Sequence, residues 1–86
     1  MDLLQLKYVV AIAESDSVTQ AAERLHVSQS ALSLSYKRLQ EELGVQLFRR
    51  QGRRLVLTDA GTFFYRNASL ILGQLDKLAY DMSTIR

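Results

Sequence analysis

The last third of the chain carries its strongest constraint. Phe64, Ala68, Ile71, Leu75, Leu78, Met82 and Ile85 recur in alternating steps of four and three residues. No proline interrupts this segment, and Gly73 alone weakens it, by about 1 kcal/mol relative to alanine. Such alternation is the a/d seam of a coiled coil, held here for roughly three heptads. A helix capped by Thr58 and continuing to the end of the segment is about 40 Å long at ~1.5 Å per residue. So short a chain has no core that could cover all of it. Phe63 and Phe64 are expected to join the core. Farther along, the seam needs a partner helix, most simply the same helix of a second copy, so the seven seam residues are the expected dimerisation set. The segment reaches Ile85 and Arg86 in helical register without a C-cap, which reads as a fragment of a longer protein.

The preceding residues predict three shorter helices and a hairpin. Asp2 caps a first helix running to about Ser15, with Leu3, Leu6, Val10 and Ala13 along one buried stripe. Ser17 caps a second helix that turns Val18, Ala21, Ala22 and Leu25 inward. A tight turn at His26-Val27 leads to Ser28, the cap of a third helix from Gln29 to about Leu43. Leu32, Tyr36, Leu39 and Leu43 share its inner face, and Gly44 closes it. Gln46 to Arg50 and Arg54 to Leu57 read as strands around Gln51-Gly52-Arg53. The expected fold is therefore mainly α, a winged helix-turn-helix over residues 1–57 followed by a linker and dimerisation helix over 58–86.

Charge narrows the function classes. The net charge is only +2, but it is segregated. Arg24 to Arg66 holds eight basic residues against three acids, and the remainder holds three against six. A basic segment of this kind suits a polyanion, although a solvated basic surface explains it equally well. There is no cysteine for a disulfide or a thiolate metal site, and a lone His26 without a cradling glycine motif gives no catalytic set. No apolar run approaches the ~20 residues of a membrane span. The expectation is a cytoplasmic binding protein that is not an enzyme, with no cofactor, no metal and no membrane contact.

Helix-turn-helix recognition places the first turns of its second helix against base edges in the major groove. The outer face of the third helix carries Ser30, Ser33, Leu34 and Lys37, with Gln29 at its tip. The Gln29 amide can pair with adenine N6 and N7, and Ser30 and Ser33 can each exchange single hydrogen bonds. Leu34 offers a thymine methyl contact or is a stray surface leucine. Lys37 and Arg38 are placed for phosphate, and Ser17 and Thr19 for phosphate at the start of the second helix, where capping explains them almost as well. Arg53, beside Gly52, is the residue expected in the minor groove, with Arg49, Arg50 and Arg54 as phosphate ligands or solvated cations. A protein-interaction adaptor with a heptad docking strip remains the rival reading.

Three blocks are then recognisable: Ala21-Ala22-Glu23-Arg24-Leu25-His26-Val27-Ser28-Gln29-Ser30-Ala31-Leu32-Ser33, the run from Leu39 to Arg50, and Leu57-Thr58-Asp59-Ala60-Gly61. Together they closely resemble the amino-terminal domain of LysR-type transcriptional regulators. The resemblance implies a bacterial regulator with an effector-binding domain beyond this chain, through which alone a small molecule would act. It implies an antiparallel homodimer of the long helix, a tetramer being open to the full-length protein. Its two heads would sit on an interrupted dyad in double-stranded promoter DNA with T and A in the half-sites. The family's DNA contacts carry over to Gln29, Ala31, Ser33, Thr19, Lys37 and Arg53. Ser30 stands where the family usually has proline, Leu34 where a polar or basic residue is common, and Tyr36 where a branched aliphatic is usual.

Overall fold

Side-chain caps fix where each helix begins. In the computed structural model, which describes residues 1–85, Asp2 accepts from the Gln5 amide at 2.8 Å while its own amide donates to Gln5 Oε1 at 3.0 Å. This reciprocal box opens α1, Leu3–Glu14. Ser17 accepts from the Gln20 amide to open α2, Val18–Leu25, and Ser28 accepts from the Ala31 amide to open α3, Gln29–Leu43. A hairpin of β1, Phe48–Gln51, and β2, Arg54–Leu57, precedes α4, Asp59–Ile85. The first strand starts two residues later than the sequence predicts. Gln46 and Leu47 lie outside the ladder because the Leu47 amide turns to Gln40 Oε1 and the Gln46 carbonyl accepts from the Thr58 hydroxyl, leaving the Thr58 amide to Leu47 carbonyl bond alone to continue the pairing. Arg86, the last residue of the expected 58–86 segment, lies outside the described residues.

Between α2 and α3, His26 closes α2 in the left-handed conformation at φ 58°. A histidine there carries a Cβ penalty that glycine would not. Its backbone N–H reaches back to the carbonyls of Ala22 and Glu23, so the tight turn expected at His26-Val27 is a helix end folded under itself.

The main core joins Val9, Ala11 and Ile12 of α1 to Ala21 and Ala22 of α2, to Leu32, Tyr36 and Leu39 of α3, and to Leu47 and Phe48. Tyr36 meets Phe48 edge to face with ring centroids 5.5 Å apart. A second cluster sits on the other side of α1, where Leu6 and Val10 close on Ala68 with Phe64, Tyr65 and Leu72 around them. Because α1 is covered on two sides, its buried set is Leu6, Val9, Val10, Ala11 and Ile12 rather than one stripe, and Leu3 is left exposed.

Three expectations are corrected by this packing. Leu43, at the end of α3, is 36% exposed rather than in the core, since the chain leaves the helix there before anything covers it. Phe63 is 72% exposed, because α4 turns Phe64 and Tyr65 toward α1 instead. Ala68 is buried under Leu6 and Val10 of its own chain, so it belongs to the head's packing and not to a dimer surface.

Glu14 ties the ends together. Its Oε1 accepts from Arg24 of α2 at 3.0 Å and its Oε2 from the Tyr65 hydroxyl of α4 at 2.8 Å. That hydrogen bond, partial burial and the negative charge of Glu14 hold the Tyr65 pKa above its ordinary value of 10.0, against smaller opposing effects of Ser69 and Arg24.

The start of α4 is packed just as tightly. Gly61 lies so close to the chain at Leu47 that a Cβ there would overlap the Leu47 carbonyl oxygen. Gly61→Ala therefore lowers stability by about 1–3 kcal/mol in urea unfolding, outweighing the gain alanine normally brings to a helix. The raised Tyr65 pKa sets a pH dependence as well. Folding favours the protonated hydroxyl, so this contribution is intact below the unfolded value near 10 and is lost as pH rises through the higher folded value. Thermal melts at increasing pH should show this loss above pH ~10, and Tyr65→Phe should flatten it.

Candidate nucleic-acid interface

One face of α3 is fixed by its core residues Leu32, Tyr36, Leu39 and Gln40, which leaves the opposite face free. Gln29, Ser30, Ala31, Leu34, Lys37 and Arg38 are exposed there, and Ser33 is half-buried at the margin. Leu34 is 49% exposed, a large apolar side chain on a face otherwise polar or small. Ser30 Oγ lies 3.5 Å from the capping Ser28 Oγ, so the position where the family usually has proline adds a hydroxyl to the cap of α3.

The start of α2 meets the start of α3. Thr19 Oγ1 donates to Gln29 Oε1 at 3.1 Å, joining two of the residues singled out in the sequence. Ser17 uses its oxygen as the cap of α2.

The hairpin pairs Phe48 with Leu57, Arg49 with Val56, Arg50 with Leu55 and Gln51 with Arg54. This register leaves Gly52 and Arg53 as a two-residue loop, with Gly52 at φ 65°. A positive φ at the first central position is what a type II′ turn requires. Arg53 thus stands at the extreme tip, exposed, with Arg49, Arg50 and Arg54 exposed behind it. Between α3 and the hairpin runs an open cleft of about 700 Å³ whose walls include Lys37, Arg49 and Arg50. Lys37 and Arg50 therefore both line the cleft. Arg38 lies away from it.

The residue that sequence reasoning missed is Gln40. It is 8% exposed, and its Oε1 accepts from the amides of both Leu47 and Phe48, at 2.9 and 3.1 Å. One side-chain carbonyl therefore holds the hairpin to the recognition-type helix. The available signal was a polar residue in register with Leu32, Tyr36 and Leu39.

Among the described residues the ion pairs are Met1 with Glu42, Arg24 with Glu14 and Lys77 with Asp81. None uses Lys37, Arg38, Arg49, Arg50, Arg53 or Arg54, so these cations are uncommitted within the chain. The described residues hold no cluster of His, Cys, Asp and Glu fit for a metal. No described helix is long and apolar enough to cross a membrane.

Removing the Gln40 acceptor leaves two buried amides unpaired. Gln40→Leu should cost about 1–3 kcal/mol for each amide orphaned, read by urea unfolding, and should speed hydrogen exchange at Leu47 and Phe48. Gln40→Glu keeps an oxygen in place and should restore most of both.

Comparison with known proteins agrees with this architecture. The model of the bacterial regulatory helix-turn-helix protein, lysR family, matches residues 3–62. The transcriptional regulator BudR of Klebsiella aerogenes is 47% identical over 76 residues, which is 88% of this chain and 53% of BudR. The chain spans a smaller share of other relatives, 26% of BenM of Acinetobacter baylyi. Among solved structures, the BenM DBD/benA site 1 DNA complex matches with a TM-score of 0.93 at 38% identity, covering all of both chains. The CbnR DBD–DNA complex matches at 0.85 and 41% identity, over 96% of this chain and 94% of that one. These relatives are transcriptional regulators rather than enzymes. A winged helix-turn-helix with a long fourth helix, matched over most of its length, places this chain in the lysR family of bacterial regulatory helix-turn-helix proteins, as the DNA-binding domain of a LysR-type transcriptional regulator.

Proposed function

We propose that the chain reads promoter DNA as a homodimer, each head placing the start of α3 in a major groove and its hairpin tip in the adjoining minor groove of an interrupted dyad. Residues 1–57 act as the reading head and 58–86 as the linker through which two copies pair. The observation that carries this reading is an outer surface of the head on which polar side chains and cations free of ion pairs gather. Gln29, Ser30, Ala31, Ser33 and Leu34 open α3 beside Thr19 and Ser17, with Lys37 and Arg38 behind them, and Arg50, Arg53 and Arg54 project from a hairpin locked to the same helix by Gln40. Solved relatives with the same fold were captured on DNA, BenM on benA site 1 and CbnR on its target.

Pairing rests on the far half of α4. Beyond Leu72 no residue of α4 joins the apolar clusters of the head, and Leu78, Met82 and Ile85 are largely exposed in register with Ile71 and a half-buried Leu75. A coiled-coil seam left bare over this length finds burial in a second copy. An effector, and any tetramer, would act through residues beyond this chain, in the bacterial cytoplasm where the promoter lies.

Selection of bound sequences from random duplexes tests the proposal. The protein should enrich two half-sites at fixed separation, with affinity falling steeply as salt rises. Leu78→Glu, far from the head, should lose the fixed separation and weaken dyad binding by at least about tenfold while single half-sites are still bound. Enrichment of no motif would overturn it and leave an adaptor role, and enrichment of a single half-site by the unaltered protein would overturn the paired reading of a dyad.

A further inference from the structure

The contact between Thr19 and Gln29 goes a step beyond placing both at the interface. Gln29 is the first residue of α3, and its exposed side chain overhangs the helix start. The one side-chain hydrogen bond found for it comes from the neighbouring helix, Thr19 Oγ1 donating to its Oε1 at 3.1 Å. An unrestrained glutamine amide is ambiguous as a reader. It can turn its oxygen or its nitrogen toward a given base atom, and so fits either an amino donor or a carbonyl acceptor. Here the Thr19 hydroxyl donates, so the Gln29 oxygen lies on the α2 side and the amide nitrogen on the other.

The oxygen retains a second lone pair, so the tether does not use up its capacity to accept. The amide then presents an acceptor and a donor in a set order along the groove. Adenine offers the complement, its N6 amino group to the oxygen and its N7 to the nitrogen. Guanine offers O6 and N7, both acceptors, and would bring O6 against the fixed Gln29 oxygen. We propose that Thr19 is a positioning residue for specificity: its hydroxyl orients the Gln29 amide so that Gln29 selects adenine and rejects guanine at its base pair. The inference rests on the reading of α3 as the base-reading helix. It assigns Thr19 a role different from the phosphate contact expected of its place at the start of α2.

The test compares Thr19→Val, which keeps the shape but lacks the hydroxyl, with Thr19→Ser, which keeps the hydroxyl, each with Gln29 and with Gln29→Ala. Dissociation constants are measured on the selected duplex with each of the four base pairs at the position where Gln29→Ala relaxes selection. Thr19→Val should reduce adenine-over-guanine discrimination there by about five- to tenfold and leave mismatch penalties elsewhere unchanged. Thr19→Ser should preserve it, and Thr19→Val should change nothing at that pair once Gln29 is alanine. Weakening by one common factor on all four duplexes, in both backgrounds and with a shallower salt dependence, would make Thr19 a phosphate ligand and overturn the inference. Discrimination untouched by Thr19→Val would overturn it too. If Gln29→Ala relaxes no base pair at all, the base-reading role itself fails and the inference with it, an outcome distinct from failure at Thr19 alone.

Discussion

The peptide unit of Leu47 is where the parts of this small protein are joined. Its amide donates to Gln40 of α3, its carbonyl accepts from the amide of Thr58, and Gly61 of α4 closes directly on that carbonyl. Its side chain is in the core with Leu32 and Leu39. One residue thus links the recognition-type helix, the hairpin and the long helix. In a domain with so few buried groups each unsatisfied amide costs a large share of the total stability. It follows that the hairpin tip cannot drift relative to α3 without breaking polar contacts made in a dry environment.

The second constraint is that α1 serves as a two-sided wall. Val9 and Ile12 face α2 and α3, while Leu6 and Val10 face α4, so the head and the base of the long helix share one element. Glu14 reinforces the arrangement at the end of that wall, holding Arg24 and Tyr65 by separate oxygens. These exposed polar contacts are individually weak, and the apolar clusters supply most of the energy. Their value is directional, since they fix the angle at which α4 leaves the head. If two copies pair through α4, that angle sets the separation of their heads.

Much of this was legible in the sequence because it depends on local chemistry. Asp2, Ser17, Ser28 and Thr58 cap as their side chains and positions dictate, and α3 spans the predicted residues to the letter of its caps. What was not legible depends on tertiary neighbours. Periodicity treats a helix as having one buried face, which fails for α1 and misplaces Leu3. It also hides Gln40, because a polar residue on an inner face looks like an error until the two amides it satisfies are found seven and eight residues away. The heptad pattern in α4 is real, but its first turns are shared with a 3.6-residue stripe of Phe64, Tyr65, Ala68 and Leu72 facing α1. The pattern alone could not separate the turns that pack on the head from those left bare. Among the candidate interface residues, sequence gave types and spacing, whereas the hydrogen bond between Thr19 and Gln29 spans two helices and emerges only from their packing.

The division of α4 explains how one helix can serve two ends of the molecule. Where it lies on α1, small Ala68 allows close approach and the helix is part of the head's core. Past Leu72, Leu78, Met82 and Ile85 face outward, and among the described residues the only ion pair there, Lys77 with Asp81, lies along the helix rather than across to the head. An apolar strip that continues straight out of a folded core gains burial without altering that core when another helix covers it. Charge follows the same division: the hairpin carries Arg49, Arg50, Arg53 and Arg54 without an acid, while past Leu72 the acids Asp76 and Asp81 are balanced by Lys77 and Arg86. A polyanion is therefore drawn to the head and not along the far part of α4, which leaves the apolar strip uncovered.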